Sequence, residues 1–372
     1  MNKRITELSE YIDAISELTN SGKENGKIVV YRGENLDYQD TACVPNIYRK
    51  NVLTNNPRFE KNLFDEMKSN DLANGNNYLE NAITAQHDGF PSRLLDVSFN
   101  CLVALYFACT PYYREDASIH DGKDGKVFVF FIDKMFCPTG ENIVTNYETI
   151  VNGQKDSFIN NQLFAKNHKL IDHIKSNKRI IAQQGAFILF QGNYNEPLPK
   201  RICETITIDG TSKAKLRKQL NELFGINTGS IYPQVENFVD NMIARSEYVD
   251  NSSFSLENEL KLVKYNIEKD IEFYINSIIS DKENSHNILY ELEMNLKDYQ
   301  IGIINLVIKS KEPYNNNQTE QLKDKTIESF AQDYNDLLEE ELNYLNKVLF
   351  DTGNSIDPMN FKLELSRGEK GC

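Results

Sequence analysis

The chain predicts an α+β fold, in which a mixed-sheet domain with surrounding helices is followed by a helical C-terminal region. Three observations carry this. Gly125–Ile132 is an apolar run bracketed by turn residues, so it reads as a strand buried on both faces and central in a sheet. Shorter β-branched or aromatic runs at 27–31, 186–190 and 203–208 alternate with helical patterns of unequal length, which suits a mixed sheet rather than a regular Rossmann repeat. Beyond residue 250 glycine becomes sparse, and Leu, Ile and Tyr recur at three- and four-residue spacing. At 372 residues the chain exceeds the roughly 100–200 residues of one domain. The expected division is an N-terminal helix over 1–26, a mixed-sheet domain over 27–245 and a helical domain over 246–372.

Taken in order, residues 3–20 place Ile5, Leu8, Ile12, Ile15 and Leu18 at near-helical spacing, and Ser21–Gly26 ends that helix. Lys27–Tyr31 is a strand that delivers Arg32 and Gly33 at its C-terminal end, where the glycine would let a backbone or a ligand come close. Phe59, Leu63, Phe64, Met67 and Leu72 predict one or two helices, and 79–87 a further one. Gly89-Phe90-Pro91 breaks the pattern before Arg93 and Asp96, and 100–108 is so apolar that its helix must be buried. Strands at 186–190 and 203–208 follow. Thr211–Phe224 then carries Leu216, Leu220 and Leu223 on one helical face, with Gly225 as its C-cap. A turn at 228–233 leads into a helix from near Val235. Three helices are expected near 255–280, 285–308 and 320–350, with Asn315–Asn317 as a loop.

Composition narrows the function. Lys and Arg number 41 against 55 Asp and Glu, a net charge of −14, which argues against a chain-wide basic surface for nucleic acid or anionic lipid. Cysteines at 43, 101, 109, 137, 203 and 372 form no Cys-x-x-Cys pair, and His168 and His173 are five apart, so no metal site is expected. Cys101 and Cys109 flank an apolar run and read as small buried hydrophobes. No stretch reaches the roughly 18 apolar residues of a membrane span, and a cytoplasmic, reducing location is expected.

The densest polar cluster is Gln86-His87-Asp88-Gly89-Phe90-Pro91-Ser92-Arg93-Leu94-Leu95-Asp96-Val97-Ser98. Such a group must hydrogen-bond internally or face a cleft, because unpaired buried polar groups are costly. Arg32 offers a planar fork for phosphate or carboxylate, or an ion pair with Glu34 or Asp96. His87 suits a proton carrier or a base-edge and ribose contact, or a hydrogen-bonded residue that shapes its loop. Arg93 and Asp96, three apart, would meet on one helical turn as a buried pair that holds the loop. Ser98 would cap the next helix. Gln183 and Gln184 open a strand, where adjacent amides cannot face the same side and one can read a ligand edge.

Tyr31-Arg32-Gly33, the Gln86–Ser98 segment with Leu102–Ala108 behind it, Arg179–Phe187 and Leu216–Pro233 together resemble the bacterial FRG-domain family from about Lys27 to Ala244. Ser92 stands where that family often has Thr, and Val97 where an aromatic is common. The resemblance implies a component of an antiphage or toxin system. Tyr31-Arg32-Gly33 also resembles the first motif of Arg-Ser-Glu type ADP-ribosyltransferases, which implies that Arg32 holds NAD phosphates or ribose; Glu204 and Glu34 are the nearest carboxylates by context. The resulting expectation is an effector that binds a nucleotide-like small molecule, NAD being the candidate cofactor. Arg32, Gly33, Gln86, Arg93, Gln183 and Gln184 would be its ligand-binding residues, His87 and Glu204 catalytic ones, and Asp96 and Ser98 structural support. The alternative is a non-enzymatic recognition module for a phage or host protein, or an assembly subunit whose helical region forms homo-oligomers.

Overall fold

Arg4–Ile5 (β1) is a short strand where the sequence pattern suggests a helix already under way. It pairs in parallel with Cys203–Ile208 (β8), and Arg4 is held by Asp124 and Asp209. The helix starts later, as Leu8–Glu24 (α1), because the Glu10 carboxylate accepts the Thr6 and Glu7 N–H groups that the first turn leaves unpaired. The structure is a computed structural model. It describes residues 4–49, 52–73, 75–87, 89–153, 161–173, 178–233, 239–247, 249, 255–310, 318–350 and 353–363. Asp88, Val235 and Asn315–Asn317, singled out above, lie outside these.

The remaining strands are Ile28–Glu34 (β2), Leu94–Ser98 (β3), Gly125–Ile132 (β4), Met135–Phe136 (β5), Lys169–Ile171 (β6) and Gly185–Leu189 (β7). The helices of the same part are Val52–Asn55 (α2), Phe59–Ser69 (α3), Tyr78–His87 (α4), Cys101–Cys109 (α5), Glu141–Asn152 (α6), Gln162–Ala165 (α7), Lys178–Gln183 (α8), Lys213–Phe224 (α9), Thr228–Ile231 (α10) and Val239–Ser246 (α11). The sheet is eight-stranded and mixed, in the order β1-β8-β4-β2-β3-β7-β6-β5.

Its register shows two halves. β2 pairs with β4 from Ile28↔Ile132 to Glu34↔Lys126, and β3 pairs with β7 from Leu94↔Leu189 to Ser98↔Gly185. The two halves are joined through the single pair Tyr31↔Ser98. No further pair joins these two strands, so the ladder opens in the middle of the sheet, between the end of β2 and the start of β3.

Each face has its own core. Tyr11, Tyr31, Val103, Leu105, Val127, Val129 and Leu216 bury α1, α5 and α9 against one face of the β2 half. Val30, Phe130, Leu95, Val97 and Ile188 fill the opposite face. β4 therefore buries side chains on both sides, as its unbroken apolar run requires. Phe64, Leu79, Tyr147, Phe187 and Leu189 form a third cluster beneath α3, α4 and α6.

α5 lies unusually close to the sheet, and two glycines make this feasible. A Cβ on Gly33 would stand 1.8 Å from the Ala104 carbonyl oxygen, and one on Gly125 2.2 Å from that of Ala108. The N-cap of α5 is Asn100, whose Oδ1 accepts from Leu102 N at 2.9 Å. Ser98, expected as that cap, instead accepts the Asn100 N–H at 2.9 Å and donates to the Gln183 carbonyl at 2.7 Å.

Asp250–Cys372 forms a second compact unit, against Met1–Val249 for the first. Its helices, Leu256–Ser280 (α12), Ser285–Ser310 (α13) and Gln318–Leu349 (α14), fall close to the positions the spacing predicts. Ile267, Ile271, Ile275, Leu292, Leu296, Tyr334, Leu338, Leu342 and Leu345 make its core. A returning tail is tied down by two α14 amides. Asn346 pairs with both backbone groups of Ile356, at 2.7 and 2.9 Å, and Asn335 with both of Leu363, at 3.0 and 2.7 Å. Among the described residues no helix is long and apolar enough to cross a membrane.

Candidate functional site

Arg32 stands at the parting of the sheet. Its Nε donates to Glu34 Oε1 at 2.9 Å, and one terminal nitrogen bridges the gap to the Asp96 carbonyl at 2.8 Å. Its other terminal nitrogen has no partner among the described residues. Burial works against the guanidinium charge, yet the negative groups around it, Glu34 foremost, raise its pKa above the ordinary value. It carries a full positive charge at any physiological pH.

Two cavities meet at this residue. The first, about 200 Å³, is lined by Arg32, Gln86, Asp96, Ser98, Phe107, Arg179 and Gln183. The second, about 350 Å³, shares Arg32, Gly33 and Phe107 as a wall and continues to Glu34, Tyr38, Arg49, Tyr112 and His120. Gln86 Nε2 donates to Asp96 Oδ2 at 2.7 Å, while Gln86 Oε1 is buried with no partner among the described residues. Glu34 is 4% exposed; its Oε1 accepts from Arg32 and from the Cys43 N–H at 3.0 Å, but Oε2 is buried and unpartnered. Gln183 Nε2 donates to the Ile231 carbonyl at 3.2 Å. The Arg179 guanidinium lies 4.5 Å from the centroid of the Tyr232 ring, a cation–π distance.

Arg32, Gln86, Gln183, Asp96 and Ser98 are thus brought together around one cleft, although they come from β2, α4, α8 and β3. Other expected site residues are elsewhere or act differently. Gly33 lines the cleft, but the close approach it permits is that of the α5 backbone. Arg93 is fully buried away from it and does not pair with Asp96. It binds Glu60 and the Gly192 carbonyl, with Asn193 Oδ1 at 3.1 Å. The segment is a strand, so residues three apart point to opposite faces and no helical turn brings Arg93 to Asp96. Gln183 ends α8 rather than opening a strand. Gln184 makes the reversal into β7 with φ +47°, is exposed, and lines neither cavity. Glu204 lies on β8 against a separate cavity with Cys43, Phe128 and Lys200, so Glu34 and Asp96 are the carboxylates beside Arg32. His87 closes α4, and its side chain is outside the described residues.

The sequence reading missed the aromatic wall. Phe107, Tyr232, Tyr113 and Tyr112 follow one another at centroid distances of 6.2, 4.4 and 4.6 Å. Burial pushes the Tyr232 phenol well above its usual range. The available signal was Tyr112-Tyr113 directly after an apolar helix, but nothing local says that Tyr232 returns to meet it. Cys109 is buried and Cys101 partly so, and burial raises both thiols, Cys109 to about 12.

The fold is thus an α+β domain with an arginine at the parting of its sheet and a two-lobed cleft beside it. The chain carries an FRG domain: residues 27–117, which hold Tyr31-Arg32-Gly33, the Gln86–Ser98 segment and α5, match that family's model. The match ends before Arg179 and Tyr232, which complete the cleft. No curated protein and no solved structure matches the chain.

Proposed function

We propose that the chain is an FRG-domain effector of an antiphage or toxin type, whose cleft binds a nucleotide-like anion, with NAD as the candidate substrate. The observation that carries this is Arg32, which stands in the gap between the sheet halves with one terminal nitrogen unengaged. A phosphate oxygen would complete its hydrogen bonding. Gln86 Oε1 supplies an unmet acceptor beside that donor in the same lobe, suited to an amide or hydroxyl of the ligand. With NAD bound, the bond broken is that between ribose C1′ and the nicotinamide nitrogen, whose electron pair leaves with nicotinamide. Asp96 or Glu34 stabilises the oxocarbenium-like ribose, and water or a protein side chain takes the ADP-ribosyl group. The helical unit regulates or oligomerises the effector.

The test is incubation of the purified protein with NAD, with and without cell lysate, following nicotinamide release and covalent labelling by mass spectrometry, alongside calorimetric binding. Arg32→Ala and Arg32→Lys should each weaken binding by about 10- to 100-fold, the loss of a charged hydrogen bond of about 1.5–3 kcal/mol. Wild-type protein that neither binds nor consumes a nucleotide refutes the reading. A recognition module is the second reading, favoured by the fact that Glu34 and the Asp96 carbonyl already engage two nitrogens of Arg32. Ligand binding without turnover, in lysate as in buffer, would select it.

A further inference from the structure

We infer that the second lobe of the cleft is a ribonucleoside subsite, in which Glu34 Oε2 accepts a ribose hydroxyl and the base stacks on the tyrosine wall. This rests on the nucleotide reading and adds which part of the ligand goes where. Three buried polar atoms of this lobe have no partner among the described residues: Glu34 Oε2, Thr110 Oγ1 and His120 Nδ1. An unmet carboxylate oxygen in a residue 4% exposed is costly, and here it borders a cavity that an occupant can fill. A carboxylate oxygen can only accept, so that occupant must present donors.

Charge and shape restrict it further. Arg32 and Arg49 oppose Glu34 and Glu115 around the lobe, so the formal charges cancel and the occupant is neutral. The walls are aromatic. Tyr112, half exposed, ends the ring series from Phe107, and Tyr38 on the other side is held by Arg49 and by its bond to Asn35 Oδ1 at 2.9 Å. A ribonucleoside combines a planar ring with hydroxyl donors in a neutral group, and bases stack on such faces without needing a sequence-specific edge. At about 350 Å³ the lobe lies within the about 300–1,000 Å³ typical of small-ligand sites. Arg32, shared with the first lobe, then falls where the phosphates join the ribose.

The experiment is isothermal calorimetry on the full chain with ADP, GDP, CDP and UDP, their 2′-deoxy and 3′-deoxy counterparts, and inorganic pyrophosphate. At least one ribonucleotide should bind, more tightly than pyrophosphate, and removing one ribose hydroxyl should weaken it about 10-fold or more. Glu34→Gln should shrink that ribo-to-deoxy ratio. Tyr112→Ala, at an exposed position that leaves the core intact, should weaken the nucleotide but not pyrophosphate. Equal binding of ribo and deoxy forms, or pyrophosphate binding as well as any nucleotide, overturns the subsite and leaves the anion-binding reading standing. Absence of binding by every probe overturns both.

Discussion

Replacing Arg93 by Ala should destabilise the first unit severely without acting through the ligand cleft. The guanidinium is fully buried and contacts Glu60, the Gly192 carbonyl and Asn193 Oδ1. Glu60 in turn accepts the Tyr147 hydroxyl at 2.6 Å, and the Tyr48 hydroxyl donates to the Gly192 carbonyl at 2.7 Å. Without Arg93, Glu60 is left as a buried carboxylate with a single hydroxyl donor. Breaking one side of such a pair costs about 3–5 kcal/mol, a large share of the about 5–15 kcal/mol that holds a domain together. At about 2–4 °C per kcal/mol for a domain of this size, Tm should fall by about 6–20 °C. The assay is thermal unfolding by near-ultraviolet circular dichroism, with hydrogen exchange on β3 and β7 assigning the transition. Glu60→Ala should behave likewise, and Arg93→Met combined with Glu60→Leu should recover at least half of either loss, since the two charges exist to satisfy each other. Single variants that lose less than about 2 °C, or a double variant that sums the two losses, would refute this network. Lost nucleotide binding at unchanged Tm would return Arg93 to the ligand.

Two further outcomes are expected. Gly33→Ala should yield little folded protein, because α5 would have to retreat from 1.8 Å to about 3.5 Å at the Ala104 carbonyl; soluble yield and Tm check it, and a wild-type Tm contradicts it. Burial lowers the His168 pKa, with Nε2 at 2.9 Å from the Glu196 carbonyl and Nδ1 at 3.1 Å from that of Lys166. The unfolded chain therefore takes up this proton first, so the stability contributed above about pH 6.5 is lost as pH falls toward the lower folded pKa. His168→Gln should flatten Tm between about pH 7.5 and 5.5, and an unchanged slope would count against it.

The main elements were legible because their signals are local. β4, β7, β8, α5, α9 and the three C-terminal helices each follow from an apolar run or a three-and-four spacing within one short segment. β1, β5 and β6, of two or three residues, were not, since so short a strand carries no periodicity and exists only because a partner strand lies beside it. Taking 93–96 for a helical turn followed from reading a charge pair at helical spacing, and pairing with β7 overrode it.

The sequence by itself determined that Arg32 lies near the C-terminal end of a strand, that a polar cluster precedes a buried helix, and that a helical region follows a mixed-sheet domain. The chemistry of those stretches lies in neighbouring residues. Tertiary structure alone decided the partners: Glu60 for Arg93, 33 positions away; Gln86 rather than Arg93 for Asp96; the α5 backbone rather than a ligand for Gly33; and Glu34 rather than Glu204 beside Arg32. A buried charge or a close backbone contact is set by which strands and helices lie side by side. That depends on the register of the whole sheet, here on two halves joined at Tyr31 and Ser98, with the cleft where they part.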